Sequence, residues 1–333
     1  MGELSNRRAQ TEERINTLRE KLREAENIAA GKACVYVTGS YGRGEASKYS
    51  DLDLFIVGKK NGKPDRDGKE GSLLSRLDDI RIKADLIEIT REMGIQEFSG
   101  DGRYLVHYSV HALIKTLGKA EDDALNTFTA RLLLLLESRP LLEAAVYNDV
   151  IEEVVAAYWR DYEDHKSDFV PAFLANDILR LWRTFCVNYE ANTSTEPSEE
   201  NAKRKLKNYK LKHSRLLTCY SALLYLLVVF AKNNTVGPDD ALAMIGLTPT
   251  QRLEWMLSQP SLAGAHAAVT KTLDQYSYFL ETTNAPEEEL IKRFLDRETS
   301  RKYMIAANAF GGSIFDVLNL VGQGTKLHRM LIV

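Results

Sequence analysis

Residues 39–54 read GSYGRGEASKYSDLDL, and the rest of the chain is best understood outward from this run. It follows ACVYVT at residues 33–38, whose β-branched and aromatic content predicts a short strand. That strand ends in Gly39-Ser40. A strand turning through glycine and serine points several backbone N–H groups in one direction, and such groups favour an anion. Glycine allows a close approach, and the Ser40 hydroxyl adds a donor. At the other end stand Asp51 and Asp53, which open DLDLFIV, a second predicted strand. Residues i and i+2 of a strand share a face, roughly 7 Å apart at the backbone. Two carboxylates so placed repel unless cations sit between them, and Mg²⁺ prefers carboxylate oxygens combined with water and phosphate oxygens. Leu52, Leu54 and Ile56 fill the opposite face and anchor the strand in a core.

Two common phosphate motifs are excluded. A P-loop needs Lys-Ser or Lys-Thr after its last glycine, whereas Gly44 is followed by Glu45-Ala46. A dinucleotide fingerprint needs a third glycine after Gly42-Arg43-Gly44, and Ser47 stands there instead.

The pattern G-S-x-x-R-G-x(5)-S-D-x-D-L resembles the DNA polymerase β-like nucleotidyltransferase superfamily. Within it, residues 39–45 with 50–54 look most like the minimal nucleotidyltransferases and the protein-PII uridylyltransferase group. The resemblance covers residues 35–90 and is specific for the superfamily, not for a substrate. It implies that Gly39 and Ser40 hold the triphosphate of an NTP. Arg43 and Ser50 belong to the same nucleotide-binding motif, although Arg43 can equally pair with a core acid. Asp51 and Asp53 are implied to bind two divalent ions, Mg²⁺ or Mn²⁺. A third acid on a later strand is implied to complete the catalytic and metal-binding set.

IKADLIEI at residues 82–89 is predicted as that strand. Asp85, between Ala84 and Leu86, matches the family's apolar-Asp-apolar pattern, and Glu88 is the alternative. By the same resemblance, Lys210, Lys212 and Ser214 are candidates to cover the triphosphate from a helical domain. The implied reaction moves an NMP from an NTP to an acceptor hydroxyl and releases pyrophosphate. The acceptor is RNA, a nucleotide or a protein, in a setting such as a bacterial toxin or anti-phage defence. The alternative is a module that binds NTP as a sensor without transfer.

The fold class expected is α+β. A polymerase β-like palm with an N-terminal helix is expected over residues 1–100, and a mostly helical domain over 101–333. Ile15, Leu18, Leu22 and Ala25 recur at helical spacing within residues 7–29. Residues 59–71 hold three glycines and a proline and predict a loop. Beyond them, helices are expected over 104–117, 124–137, 142–158 and 171–189, with a polar loop at 190–200 and five further helical segments from 239 to 310.

A net charge of −3 argues against a bulk-basic nucleic-acid binder, yet residues 202–215 carry seven lysines and arginines and no acid. Such a run is either a solvated face or a phosphate contact. Arg180 and Arg183 share a helix face and can serve the same end, or pair with Asp177. The basic segment argues against cationic drugs as acceptors. His107 and His111 have metal-compatible helical spacing, although Tyr108 replaces the glutamate of a zinc-protease motif. Tyr41 and Tyr49 flank the loop and can stack on a base or simply pack.

Cys34, Cys186 and Cys219 lie far apart, which suggests a reduced, cytoplasmic setting. The charged N-terminus lacks the apolar core of a signal peptide. LLTCYSALLYLLVVFA at residues 216–231 is shorter than the roughly 20 residues of a membrane span, so a buried core helix without membrane insertion is expected.

Overall fold

A computed structural model describes residues 2–64, 70–98, 102, 105–190 and 198–332. The chain divides into two compact units, Ser5–Arg160 in one and Asp161–Val333 with Met1–Leu4 in the other. The first unit therefore extends well past residue 100, because two strands of its sheet come later in the chain.

Helices α1 (Gly2–Lys21) and α2 (Arg23–Ala29) lead into β1 (Ala33–Val37). A one-turn helix, α3 (Gly39–Gly42), precedes β2 (Leu54–Gly58). Strands β3 (Lys60–Pro64) and β4 (Glu70–Ser72) pair antiparallel where a loop was expected. Then follow α4 (Arg76–Glu92), β5 (His107–Ser109), α5 (Val110–Lys115), α6 (Glu121–Ala124), α7 (Thr127–Glu137), β6 (Arg139–Leu142) and α8 (Ala144–Tyr158). The main sheet has the order β5-β2-β1-β6, with β1 antiparallel to both neighbours and β5 parallel to β2. This mixed sheet flanked by helices is the expected α+β architecture. Pro140 lies in β6, an edge strand, where its missing N–H breaks no interior ladder.

Every residue of β1 and β2 is buried, so both faces of the sheet are covered. Val35, Val37, Leu54 and Ile56 meet Ile15, Leu18, Leu22 and Ala25 of the N-terminal helices in one core. On the opposite face Tyr36 stacks on Phe55, with ring centroids 5.5 Å apart. Its hydroxyl donates to the Ala130 carbonyl at 3.0 Å, so the buried phenol keeps a partner.

The segment expected as a third strand is the interior of α4. Ser75 caps that helix by accepting the Asp78 N–H, Asp78 and Asp79 fill its first turn, and Arg91 its last. Its buried positions Asp79, Ile82, Leu86 and Thr90 are spaced by three, four and four. Residues 82–89 alone show isoleucine and apparent alternation, and only the longer window reveals the helical period. The opposite exchange occurs at His107 and His111. His107 lies in β5 and contacts Ser72 Oγ at 3.1 Å, while His111 lies in α5, so they share no helix face.

The second unit is helical: α9 (Ala172–Glu190), α10 (Ser198–Lys210), a π-helical turn (Leu211–Arg215), α11 (Leu216–Asn233), α12 (Pro238–Ile245), α13 (Pro249–Leu257), α14 (His266–Thr282), α15 (Glu287–Leu295), α16 (Arg297–Gly322) and α17 (Lys326–Ile332). The loop expected at 190–200 falls mainly outside the described residues. The continuous helix Glu199–Asn233 is long and apolar enough to cross a membrane, but 83% of its apolar window is buried, which makes it the core helix of this unit. The helix Arg297–Gly322 passes the same length and composition test and is buried on one face, with Ile305, Phe315 and Leu320 exposed.

Candidate functional site

Strand β1 delivers the glycine-serine turn beside the paired aspartates. Thr38 N–H donates to the Asp53 carbonyl at 2.8 Å, which carries the β1–β2 ladder one step beyond Val37 and Leu54. The chain then enters the left-handed region at Gly39, with φ of +62°. A Cβ there would lie 2.6 Å from Asp53 Oδ2, so only glycine lets turn and carboxylate come this close. Gly42 is constrained differently: a Cβ there would stand 1.9 Å from the Glu137 carbonyl oxygen. The Ser40 hydroxyl oxygen is buried and has no hydrogen-bond partner among the described residues. A buried hydroxyl left in this state costs stability.

Asp51 and Asp53 lie in the segment entering β2, not inside the strand, yet the expected alternation holds. Both acids are exposed, while Leu52 and Leu54 are buried in the core. Burial, foremost, and then the nearby Asp51 charge raise the Tyr41 phenol above its ordinary pKa, opposed by Arg14. Tyr41 is fully buried and its hydroxyl accepts from Arg14 Nε at 2.8 Å, so it is a packing residue and not a base platform. Tyr49 is exposed, with Lys48 Nζ 4.9 Å from its ring centroid.

Beneath the turn lies a buried ionic chain that sequence reading did not assemble. Arg43 Nε donates to Glu45 Oε2 at 2.8 Å, and its Nη1 donates to Glu137 Oε2 at 3.0 Å. The other oxygen of Glu137 accepts the Gly39 N–H at 3.2 Å. Arg43 therefore pairs with core acids, one of the two roles considered for it. Glu137 closes the apolar run TFTARLLLLLE of α7, and β6 follows at once alongside β1. A carboxylate ending a buried helix must find a partner, and that was the available signal.

Ser50 shapes the connecting loop: its hydroxyl accepts the Ser47 N–H at 3.0 Å. Helix α1 fixes the same loop, since Thr11 Oγ1 accepts the Ala46 N–H at 2.9 Å.

Asp85 does not join the pair. It lies in α4, where burial, and then the charge of Glu24 in α2, raise its pKa. Glu88 is an exposed residue of the same helix. The segment is helical where a strand was expected, so Asp85 is presented from a helix and not from a strand of the sheet. Among the described residues no group of three or more His, Cys, Asp or Glu side chains is placed to hold a metal.

In the helical unit Lys210 is exposed, Lys212 Nζ donates to Asn308 Oδ1 at 3.0 Å, and Ser214 is buried in the π-helical turn, its carbonyl accepting from Thr218 at 2.9 Å.

Residues 15–98 match the family model described as "Nucleotidyltransferase domain", a span that contains the turn, the loop and both aspartates. The first unit thus carries a nucleotidyltransferase domain, consistent with the polymerase β-like superfamily and with nucleotidyl transfer as its general activity. No curated protein and no solved structure matches the chain.

Proposed function

We propose that this domain transfers a nucleoside monophosphate from an NTP to an acceptor hydroxyl, using the Gly39-Ser40 turn and the Asp51/Asp53 pair as one site. The approach of the Asp53 carboxylate to Gly39 beside an unpartnered Ser40 hydroxyl is the observation that carries this reading. Ser40 would donate to the polyphosphate, and the turn would hold it against the acids. The acceptor oxygen attacks the α-phosphorus, the bond to the β-phosphate breaks, pyrophosphate leaves, and the hydroxyl proton passes to solvent.

The donor set suits a divalent ion, because Mg²⁺ is commonly held by one or two carboxylates completed by water and substrate phosphates. Mg²⁺ or Mn²⁺ held by Asp51 and Asp53 would supply charge neutralisation and Lewis acidity. The acceptor classes RNA, nucleotide and protein, and a toxin or defence setting, belong to this proposal.

A second reading, NTP binding without transfer, is favoured by the position of Asp85 in α4. Incubation with each α-labelled NTP and Mg²⁺, alone and with tRNA or lysate, separates the two. Label moved to RNA, protein or a small product supports transfer; NTP bound and recovered intact supports the sensor.

A further inference from the structure

A cleft of about 490 Å³ in the helical unit is walled by α9 and α17. Asn176, Leu179 and Arg183 reach it from α9 at i, i+3 and i+7, one face of that helix. Lys326, Arg329 and Met330 reach it from α17 at i, i+3 and i+4, joined by Leu331. Among the described residues the lining therefore holds three cations and no carboxylate. Among the described residues Arg183, Lys326 and Arg329 form no ion pair, whereas Arg180, one turn from Arg183 on the same helix, lies 3.7 Å from Asp177. Like charges gathered on facing helices repel one another unless an anion joins them.

We infer that this cleft binds a phosphate-bearing ligand with an organic portion. Two arginines present planar forks suited to phosphate oxygens, with Lys326 as a third charge. Leu179, Met330 and Leu331 offer an apolar wall for a sugar or base, and Asn176 can donate and accept beside it. The volume lies within the roughly 300–1,000 Å³ of small-molecule sites and accommodates a nucleotide. That nucleotide is either free or part of a single strand. This inference stands apart from the proposed transfer reaction and needs neither Asp51 nor Asp53.

The test uses the full chain carrying Asp51→Asn and Asp53→Asn, in EDTA, so that binding at the paired aspartates does not contribute. Calorimetry with ADP and with pyrophosphate, and anisotropy with a short single-stranded RNA, read the two sources separately. Binding of ADP assigns a free nucleotide, and binding of the RNA alone assigns a strand. In either case Arg183→Glu with Arg329→Glu weakens affinity about tenfold or more, while Arg301→Glu on α16 does not. Circular dichroism confirms that the variants are folded, which is expected because the substituted side chains are exposed. Absence of binding by all three probes at millimolar concentration, or binding indifferent to the double reversal, overturns the inference.

Discussion

Gly39 and Asp53 approach so closely that a Cβ on the glycine would stand 2.6 Å from the carboxylate oxygen Oδ2. The left-handed backbone at Gly39, the ladder bond from Thr38 to Asp53 and the Glu137 carboxylate beneath Gly39 N–H together enforce that proximity. The account of function depends on this arrangement, because it places an anion-favouring turn beside exposed acids.

Ser40→Ala separates structural from functional roles. The Ser40 hydroxyl has no partner among the described residues, so its removal should leave the melting temperature unchanged or raised. If it donates to the polyphosphate, KM for NTP should rise about tenfold. Thermal melts and initial rates on one preparation check both. A destabilised variant with unaltered kinetics would assign Ser40 to packing alone.

The turn, the paired acids and the apolar alternation behind them were legible because each is local: Gly39-Ser40 and the D-L-D-L run constrain their own backbone. Ile15, Leu18, Leu22 and Ala25 were legible for the same reason, through helical spacing. Residues 82–89 misled because a segment of that length satisfies two periods, and the capping Ser75 that decides for a helix lies outside it. Strand β6 and Glu137 could not be placed from the motif, since their partners are about a hundred residues earlier in sequence, as the Gly39–Glu137 separation of 98 shows.

Glu137 supports the turn through two bonds and neutralises Arg43. Glu137→Ala removes one carboxylate from the buried Arg43 guanidinium and frees the Gly39 N–H. A loss of about 3 kcal/mol is expected, and nucleotidyl transfer should fall with it. Chemical denaturation measures the loss. A change below about 1 kcal/mol would show that Glu137 is not needed to hold Arg43 and the turn.

Asp85 gives a prediction of the opposite sign. Burial and Glu24 raise its folded pKa, so its contribution favours the folded state at low pH and is lost as pH rises through that raised value. At neutral pH the ionised carboxylate is therefore unfavourable, and Asp85→Asn should match or exceed the wild-type melting temperature. Nucleotide transfer should be unaffected. Loss of transfer in this variant would restore Asp85 to the active site.

His213 predicts a loss of stability in acid. Burial pushes its imidazole down to about 4, while Nδ1–H donates to the Tyr209 carbonyl at 2.9 Å. The ring stacks between Phe279 and Phe310, with centroids at 4.5 and 5.0 Å. A depressed folded pKa means stability present above the ordinary histidine value, about 6.5, and lost as pH falls toward 4. About 3 kcal/mol should disappear over that window. Urea titrations at several pH values should show a shallower dependence in His213→Phe. Equal slopes would contradict the buried neutral imidazole.

The most direct measurement of the central claim is pyrophosphate release from NTP in the presence of Mg²⁺ by the wild-type chain, Asp51→Asn and Asp53→Asn. The account predicts release by the wild type and its loss, by at least about a hundredfold, in both variants, with unchanged circular dichroism. Undiminished release by either folded variant would contradict it.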